Sequence, residues 1–479
     1  MKVYKYDTIK FKKGVFIMNI KNLKRNVSLL LSTLFMFTVI TACGTAEQQQ
    51  PVETVEEVAY DFDGYEFLLK DDTTGAATYA LIPTYGDSEH TDYLLEHYDY
   101  LRNTYNCEIT VEPGTVSAFI SNNAAGVRFA DMMNTRIHNI YTLFNNDMIC
   151  DAKSLPELDL SGGKYGSQQL LDALTWDGVT CAIWANYWGI PAPNFSDALM
   201  YNPRILKEYD LVDPQELYEK GAWDWAAFAN MGQVIALSAS AVPEEKIYLS
   251  VATDYFARMA MYSNDGKFVD VDSTTGRYVY AFDSPNCIEA LTWANDMNKL
   301  GYIAPDKGLA DSLEMFYTGR LVFFPEYSMQ GISKEGGDVG LHMEEEYRWL
   351  YYPKGPKGTD MTIGHISAEN MFMAITNQVD TDITGIFIDK LYDKIYPTDT
   401  GWMDNFLTVN FFDDFSKEYY MNKWNNSIYD YSKFIDFPSL LTVTESVIKG
   451  AVTPAEAVAK YKDKSQAMLD QYLNDRVNG

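Results

Sequence analysis

The chain has 479 residues, 47% of them hydrophobic and 22% charged, which is material for a sizeable core and roughly three domains' worth of length. That excludes a disulfide miniprotein and a disordered chain, which lacks the apolar surface to fold. Lys and Arg number 38 against 67 Asp and Glu, and the formal charge of −29 excludes a nucleic-acid reader, which needs a basic face.

From Met18 to Cys43 the chain reads MNIKNLKRNVSLLLSTLFMFTVITAC. Lys21, Lys24 and Arg25 precede an apolar run from Val27 to Ile40, which meets the small residues Thr41 and Ala42. This is the pattern of a secretory signal, and the run is short of the ~20 apolar residues a membrane span needs. Residues 1–17 precede a second methionine and are unlike the start of a signal, so translation is expected to begin at Met18. Ile40-Thr41-Ala42-Cys43-Gly44 resembles the lipobox of bacterial lipoproteins, in which the cysteine thiol is acylated and becomes the new N-terminus. Residues 1–42 are therefore read as a signal peptide and Cys43 as the lipid anchor, the alternative being a plain cleaved signal beside an unrelated cysteine. Its removal takes eight basic residues and one acid from the charge of −29 and leaves −36.

Residues 43–59, with the polar run TAEQQQPVETVEE, read as a tether, and folded structure is expected from Tyr60. A βαβα rhythm follows: a strand at Tyr65–Leu69, a helix at Asp92–Asn106, a strand at Cys107–Val111 and a helix at Ser117–Asn122. The first helix puts Tyr93, Leu94, His97, Leu101 and Tyr105 on one stripe. Further helices are expected at Ser284–Leu300, stopped by Gly301, and at Pro454–Leu473. Such alternation implies a mostly parallel sheet covered by helices, with ligands beyond the carboxyl ends of the strands. Cys107, Cys150, Cys181 and Cys287 form no CxxC pair and read as free thiols, although oxidation outside the cell would allow three pairings.

Five segments then follow in a telling order. They are Trp176-Asp177-Gly178 with Gly189-Ile190-Pro191; Leu199-Met200-Tyr201-Asn202-Pro203-Arg204-Ile205-Leu206; Asp213-Pro214; Trp223-Asp224-Trp225; and Phe316-Tyr317-Thr318-Gly319-Arg320-Leu321-Val322-Phe323. Together they resemble the extracellular solute-binding proteins of family 1, the lipid-anchored receptors of sugar-type ABC importers, over most of the mature chain. The resemblance implies an α/β, two-lobed periplasmic-binding-protein-like fold with a ligand cleft between the lobes. Lobe one would span residues 60–191 and 353–396, and lobe two residues 192–352 and 397–479. It also implies a monomer on the outer face of a bacterial cell membrane that hands a small solute to a membrane permease. The chain departs from the family's pattern after the first strand, where it reads Leu81-Ile82-Pro83-Thr84-Tyr85-Gly86-Asp87-Ser88.

Candidate ligand residues follow from this frame. Trp184, Tyr187 and Trp188 concentrate large rings at the expected crossover, with the two tryptophans on one face of a strand and the tyrosine on the other. Such rings stack on the C–H faces of a sugar or pack an interlobe core. Tyr85 lies in the loop after the first strand, Tyr255 in an expected loop after Leu249–Thr253, and Glu326 and Tyr327 in an expected loop after Pro325. His365 and Glu369 precede the apolar strand Met371–Ile375, and the resemblance adds Trp402. Trp223 and Trp225 flank Asp224, a helix N-cap, and read as packing. Asp270–Gly276 reads as a turn, because Phe282 stands where a calcium loop needs a bidentate Glu. The five histidines are dispersed, and no P-loop, GxGxxG or GxSxG is present, so neither a metal, a cofactor nor a catalytic residue is expected. The leading reading is a receptor for a small solute, an oligosaccharide first. The alternatives are a secreted glycoside hydrolase, an adhesin, and the same fold binding a cationic amine or peptide, which the acidic charge would suit.

Overall fold

The computed structural model describes residues 60–72, 81, 89–184, 195–196, 198–238, 240, 242, 245–326, 342–343, 345–359, 362, 364–366, 371–395, 407–422, 427–429, 443 and 446–474. The first lobe is built on a five-stranded sheet. Tyr65–Asp71 runs parallel to Cys107–Pro113 on one side and to Met132–Arg136 on the other. Met371–Ile375 returns from far along the chain to pair antiparallel with Met132–Arg136, and Ala182–Ile183 closes the sheet against it. Because successive side chains alternate across a strand, each face of this buried sheet is apolar. Phe67, Leu69, Ile109, Met132 and Ile375 face Leu94, Tyr98 and Leu101 of helix Glu89–Tyr105 and Phe387 and Leu391 of helix Thr381–Leu391. Phe67 and Phe387 stack with centroids 3.6 Å apart. The opposite face sets Met133, Phe372 and Ala374 against Ile137, Ile140 and Phe144 of helix Ile137–Asn145 and against Trp176.

The second lobe centres on Ala198–Tyr201, flanked antiparallel by Phe323–Glu326 and Arg348–Leu350. Beyond Phe323, whose amide donates to Leu249 O at 2.8 Å, lie the parallel strands Ser250–Val251 and Ile303–Ala304. Leu199 and Tyr201 join one core cluster and Ala198 and Met200 another, again by alternation. Trp223, Trp225, Phe228, Phe256 and Phe323 fill the first, where Trp225 stacks on Trp293 at 4.5 Å. Asp224 caps helix Trp225–Leu237 by accepting from Ala227 N at 2.8 Å, as its position predicts. Helix Asp414–Met421 docks on this lobe through Ser416 Oγ, which accepts from Trp349 N at 3.0 Å.

Where the chain passes between lobes it forms a separate three-stranded sheet. Gly364–Ile366 pairs antiparallel with Phe195–Ser196 and parallel with Ser427–Ile428. Residues 353–359, expected at the start of the return to lobe one, are instead bonded into lobe two: Lys354 N donates to Trp223 O, Gly355 N to Ser263 O and Lys357 N to Asn264 Oδ1. These bonds hold the segment against lobe two, and the next described strand is Gly364–Ile366.

Several boundaries shift for local reasons. The first helix begins at Glu89 and stops at Tyr105 because Asn106 takes a left-handed φ of 50°. Thr115 caps Val116–Ala124, Ser284 caps Pro285–Lys299, and a Thr453–Glu456 capping box starts Pro454–Leu469. Asp270–Gly276 is a hairpin turn in which Asp272 Oδ1 accepts from Thr274 N and Thr275 N and Gly276 has φ 70°. Cys107, Cys150, Cys181 and Cys287 are free thiols, as read from their scatter, and burial pushes the Cys107 thiol up to about 11.

Candidate ligand-binding site

The pairings fix which edge of each lobe meets the crossovers. In lobe one, Ala182–Ile183 and Met132–Arg136 both run antiparallel to Met371–Ile375, so they are parallel to each other. The carboxyl ends of the parallel strands, at Asp71–Asp72, Arg136 and Trp184, therefore share one edge with the incoming Met371. This edge is polar. Asp72 Oδ2 accepts from Thr135 Oγ1 at 2.7 Å and from Asn139 Nδ2 at 2.8 Å, and Asn139 Nδ2 also lies 2.9 Å from Thr135 Oγ1. Behind it, Asp71 Oδ2 accepts from Leu81 N at 2.8 Å and Oδ1 from Asn134 Nδ2 at 3.3 Å, while Tyr98 Oη donates to Leu81 O. Thr135 is fully buried and Asp72 half-buried, so the carboxylate keeps a side toward solvent. A carboxylate held by donors on one side can accept ligand hydroxyls on the other, and hydroxyls and amides beside it both donate and accept.

In lobe two, Ala198 receives the chain from lobe one and pairs with Glu326. Phe323–Glu326 and Ser250–Val251 run the same way, as the parallel bridge from Tyr248 to Leu321 fixes, so the carboxyl end of Ser250–Val251 lies at this edge as well. Helix Asp254–Ser263 starts there, capped by Thr253 Oγ1 accepting from Phe256 N at 3.3 Å. Its first turns hold an Arg258–Asp254 ion pair at 3.1 Å with side chains only 12% and 10% exposed, and the Arg258 guanidinium sits 4.6 Å from the centroid of the Tyr255 ring.

Along the chain, Phe195–Ser196 lies between Trp184 at the lobe-one edge and Ala198 at the lobe-two edge, and Gly364–Ile366 comes shortly before Met371 at the lobe-one edge. His365 lies in the middle strand of the three-stranded crossover, opposite Ser196 and Ile428. The next residue after Ile428 is Tyr429, whose phenol burial pushes up to about 12.

Beside His365 in the crossover sheet, the expected site residues divide three ways. Tyr255 and Glu326 are brought to one edge, although each sits in regular structure where a loop was expected: Tyr255 opens a helix, and Pro325 and Glu326 belong to the strand Phe323–Glu326. Trp184 stands at the lobe-one edge but is 7% exposed, with its ring against Phe372 at 5.5 Å, so it is core packing beneath the edge. Tyr85, Tyr187, Trp188, Tyr327, Glu369 and Trp402 lie outside the described residues, as does Cys43. Asp72, Thr135, Asn139, Asp254 and Arg258 were missed. The signal available was the rule that ligands sit beyond strand ends, applied to every strand rather than to its aromatic neighbours. Among the described residues no group of three or more His, Cys, Asp or Glu could hold a metal ion.

No sequence-family model and no curated relative matches the chain. Solved structures do, at the level of fold. The cyclic α-maltosyl-1,6-maltose binding protein of Arthrobacter globiformis is 13% identical with a TM-score of 0.59, covering 85% of this chain and 100% of that one. A cyclo/maltodextrin-binding protein complexed with maltotetraose is 11% identical with a TM-score of 0.58, covering 85% and 97%. UgpB from Mycobacterium tuberculosis, in complex with glycerophosphocholine, is 12% identical with a TM-score of 0.52, covering 79% and 95%. The chain thus has the two-lobed fold of periplasmic binding proteins.

Proposed function

We propose that this protein is the solute-binding receptor of an ABC importer and captures a small solute, an oligosaccharide first, by closing its two lobes around it. One observation carries the reading: the strand-end edges that the chain joins through the three-stranded crossover are polar in both lobes, Asp72–Thr135–Asn139 on one and Tyr255 with Asp254–Arg258 on the other. A ligand touching both edges binds the closed arrangement better than the open one, and that difference drives closure. The fold neighbours that hold maltose-type glucans support the oligosaccharide. The proposal extends to acylation at Cys43, residence on the outer face of a bacterial cell membrane, and a permease as partner. It assigns no catalytic residue.

The experiment is a thermal-shift screen of oligosaccharides followed by solution scattering of the soluble chain. Ligand at 100 times its dissociation constant adds about 2.7 kcal/mol to stability, and closure shrinks the radius of gyration. An unchanged radius at saturating ligand would refute the closing mechanism. Release of reducing sugar from the same glycans would put the hydrolase reading in its place.

A further inference from the structure

The fold houses neutral glucans in some relatives and a choline headgroup in another, so it leaves open whether this chain's site takes neutral or cationic ligands. An acidic protein with aromatic rings at its strand ends invites cations, which bind over ring faces and beside carboxylates. The lobe-two edge holds one of each, Tyr255 and Asp254, and both are already engaged by one internal cation. Arg258 lies one helical turn after Asp254, 3.1 Å from its carboxylate, with its guanidinium carbon 4.6 Å from the Tyr255 centroid. The pair is nearly buried at 12% and 10% side-chain exposure, so it is screened little by salt. Thr253 caps the helix that carries all three and fixes them on one rigid turn.

We infer that Arg258 is a specificity-determining residue that closes this site to cationic amines and leaves it to neutral, polyhydroxylated ligands. The inference rests on the binding-protein reading for the position of the edge. A trimethylammonium group brought to Tyr255 would meet a ring with a guanidinium already on it, whose positive charge repels a second cation, and a carboxylate already paired with that guanidinium. A neutral sugar needs only hydrogen-bond partners and a flat ring, and Arg258 leaves both in place while holding the ring still.

The test uses the soluble chain, with choline as the cationic probe, 3,3-dimethyl-1-butanol as its neutral isostere, and maltotetraose as the sugar, each titrated calorimetrically. Wild type should bind choline no more tightly than the isostere. Arg258→Gln, which removes the guanidinium from both the Asp254 carboxylate and the Tyr255 ring, should gain at least tenfold in choline affinity, whereas Arg258→Lys should gain none. Should Arg258→Gln fail to fold, the wild-type comparison decides alone: choline favoured tenfold or more over the isostere overturns the inference, and equal binding supports it. A folded Arg258→Gln variant with no gain also overturns it. Failure of the sugar reading looks different, because then maltotetraose and other glycans leave wild type unshifted while the gain of choline in Arg258→Gln persists.

Discussion

Replacing Asp72 with alanine separates a binding edge from a structural strut. The carboxylate accepts from Thr135 Oγ1 at 2.7 Å and from Asn139 Nδ2 at 2.8 Å. Without it, the amide of half-exposed Asn139 finds water, but the hydroxyl of fully buried Thr135 loses its acceptor. A buried donor left unmade costs about 1–3 kcal/mol, and that is the expected loss of stability. If the free side of the carboxylate also takes a ligand hydroxyl, a hydrogen bond to a charged group worth about 1.5–3 kcal/mol is lost, so affinity falls about 10- to 150-fold. Calorimetric titration beside a melting curve reads both quantities on one sample, and Asp72→Asn, which keeps one acceptor, should fall between. A variant that melts lower yet binds within twofold of wild type would refute the assignment and leave Asp72 as a strut of lobe one.

Phe387→Ala removes a fully buried ring stacked on Phe67 and should cost about 3–5 kcal/mol in denaturant unfolding, with ligand affinity preserved once folded; a loss below about 1 kcal/mol would contradict the packing described for the returning helix. His97 Nε2 donates to Leu391 O at 2.9 Å, and burial holds its pKa below the ordinary 6.5 despite the pull of nearby Asp393. The unfolded chain therefore takes up a proton first, and stability is lost as pH falls below about 6.5 until the folded imidazole also protonates. His97→Gln should flatten the fall in Tm between pH 7.5 and 5.5, and an equal fall in both proteins would refute this. Cys43→Ser should release the protein from membranes into the medium; unchanged retention would point to an uncleaved apolar segment at Val27–Ile40.

Local chemistry was legible wherever one residue decides the outcome. Ser284-Pro285 and Gly301 bracket a helix, Asp224 caps another, and the scattered cysteines stay unpaired, because caps, stops and thiol spacing act over a few residues. The lobe-one edge was not legible for the opposite reason. Asp72 and Thr135 are 63 residues apart and meet only because Tyr65–Asp71 and Met132–Arg136 pair in one register, which no local pattern encodes. Aromatic residues drew attention to Trp184, yet a ring at a strand end packs downward as readily as outward, and Phe372 offers it a surface. Tyr255 was misread as a loop residue because the apolar strand before it is short and the N-cap Thr253 continues a run of small residues.

The position of Met371–Ile375 also sets an order of assembly. Among the described strands, Ala182–Ile183 pairs with it alone in the five-stranded sheet, and the pairing edge of Met132–Arg136 that it covers stays bare until it arrives. A chain delivered from its N-terminus thus carries an unfinished first sheet while residues 184–370, the bulk of the second lobe, are still being made. Sheets completed by distant segments close slowly, and a bare strand edge is a template for neighbouring chains. The large excess of acid residues meets that hazard without any dedicated contact: like-charged nascent molecules repel one another during the interval in which their edges are open.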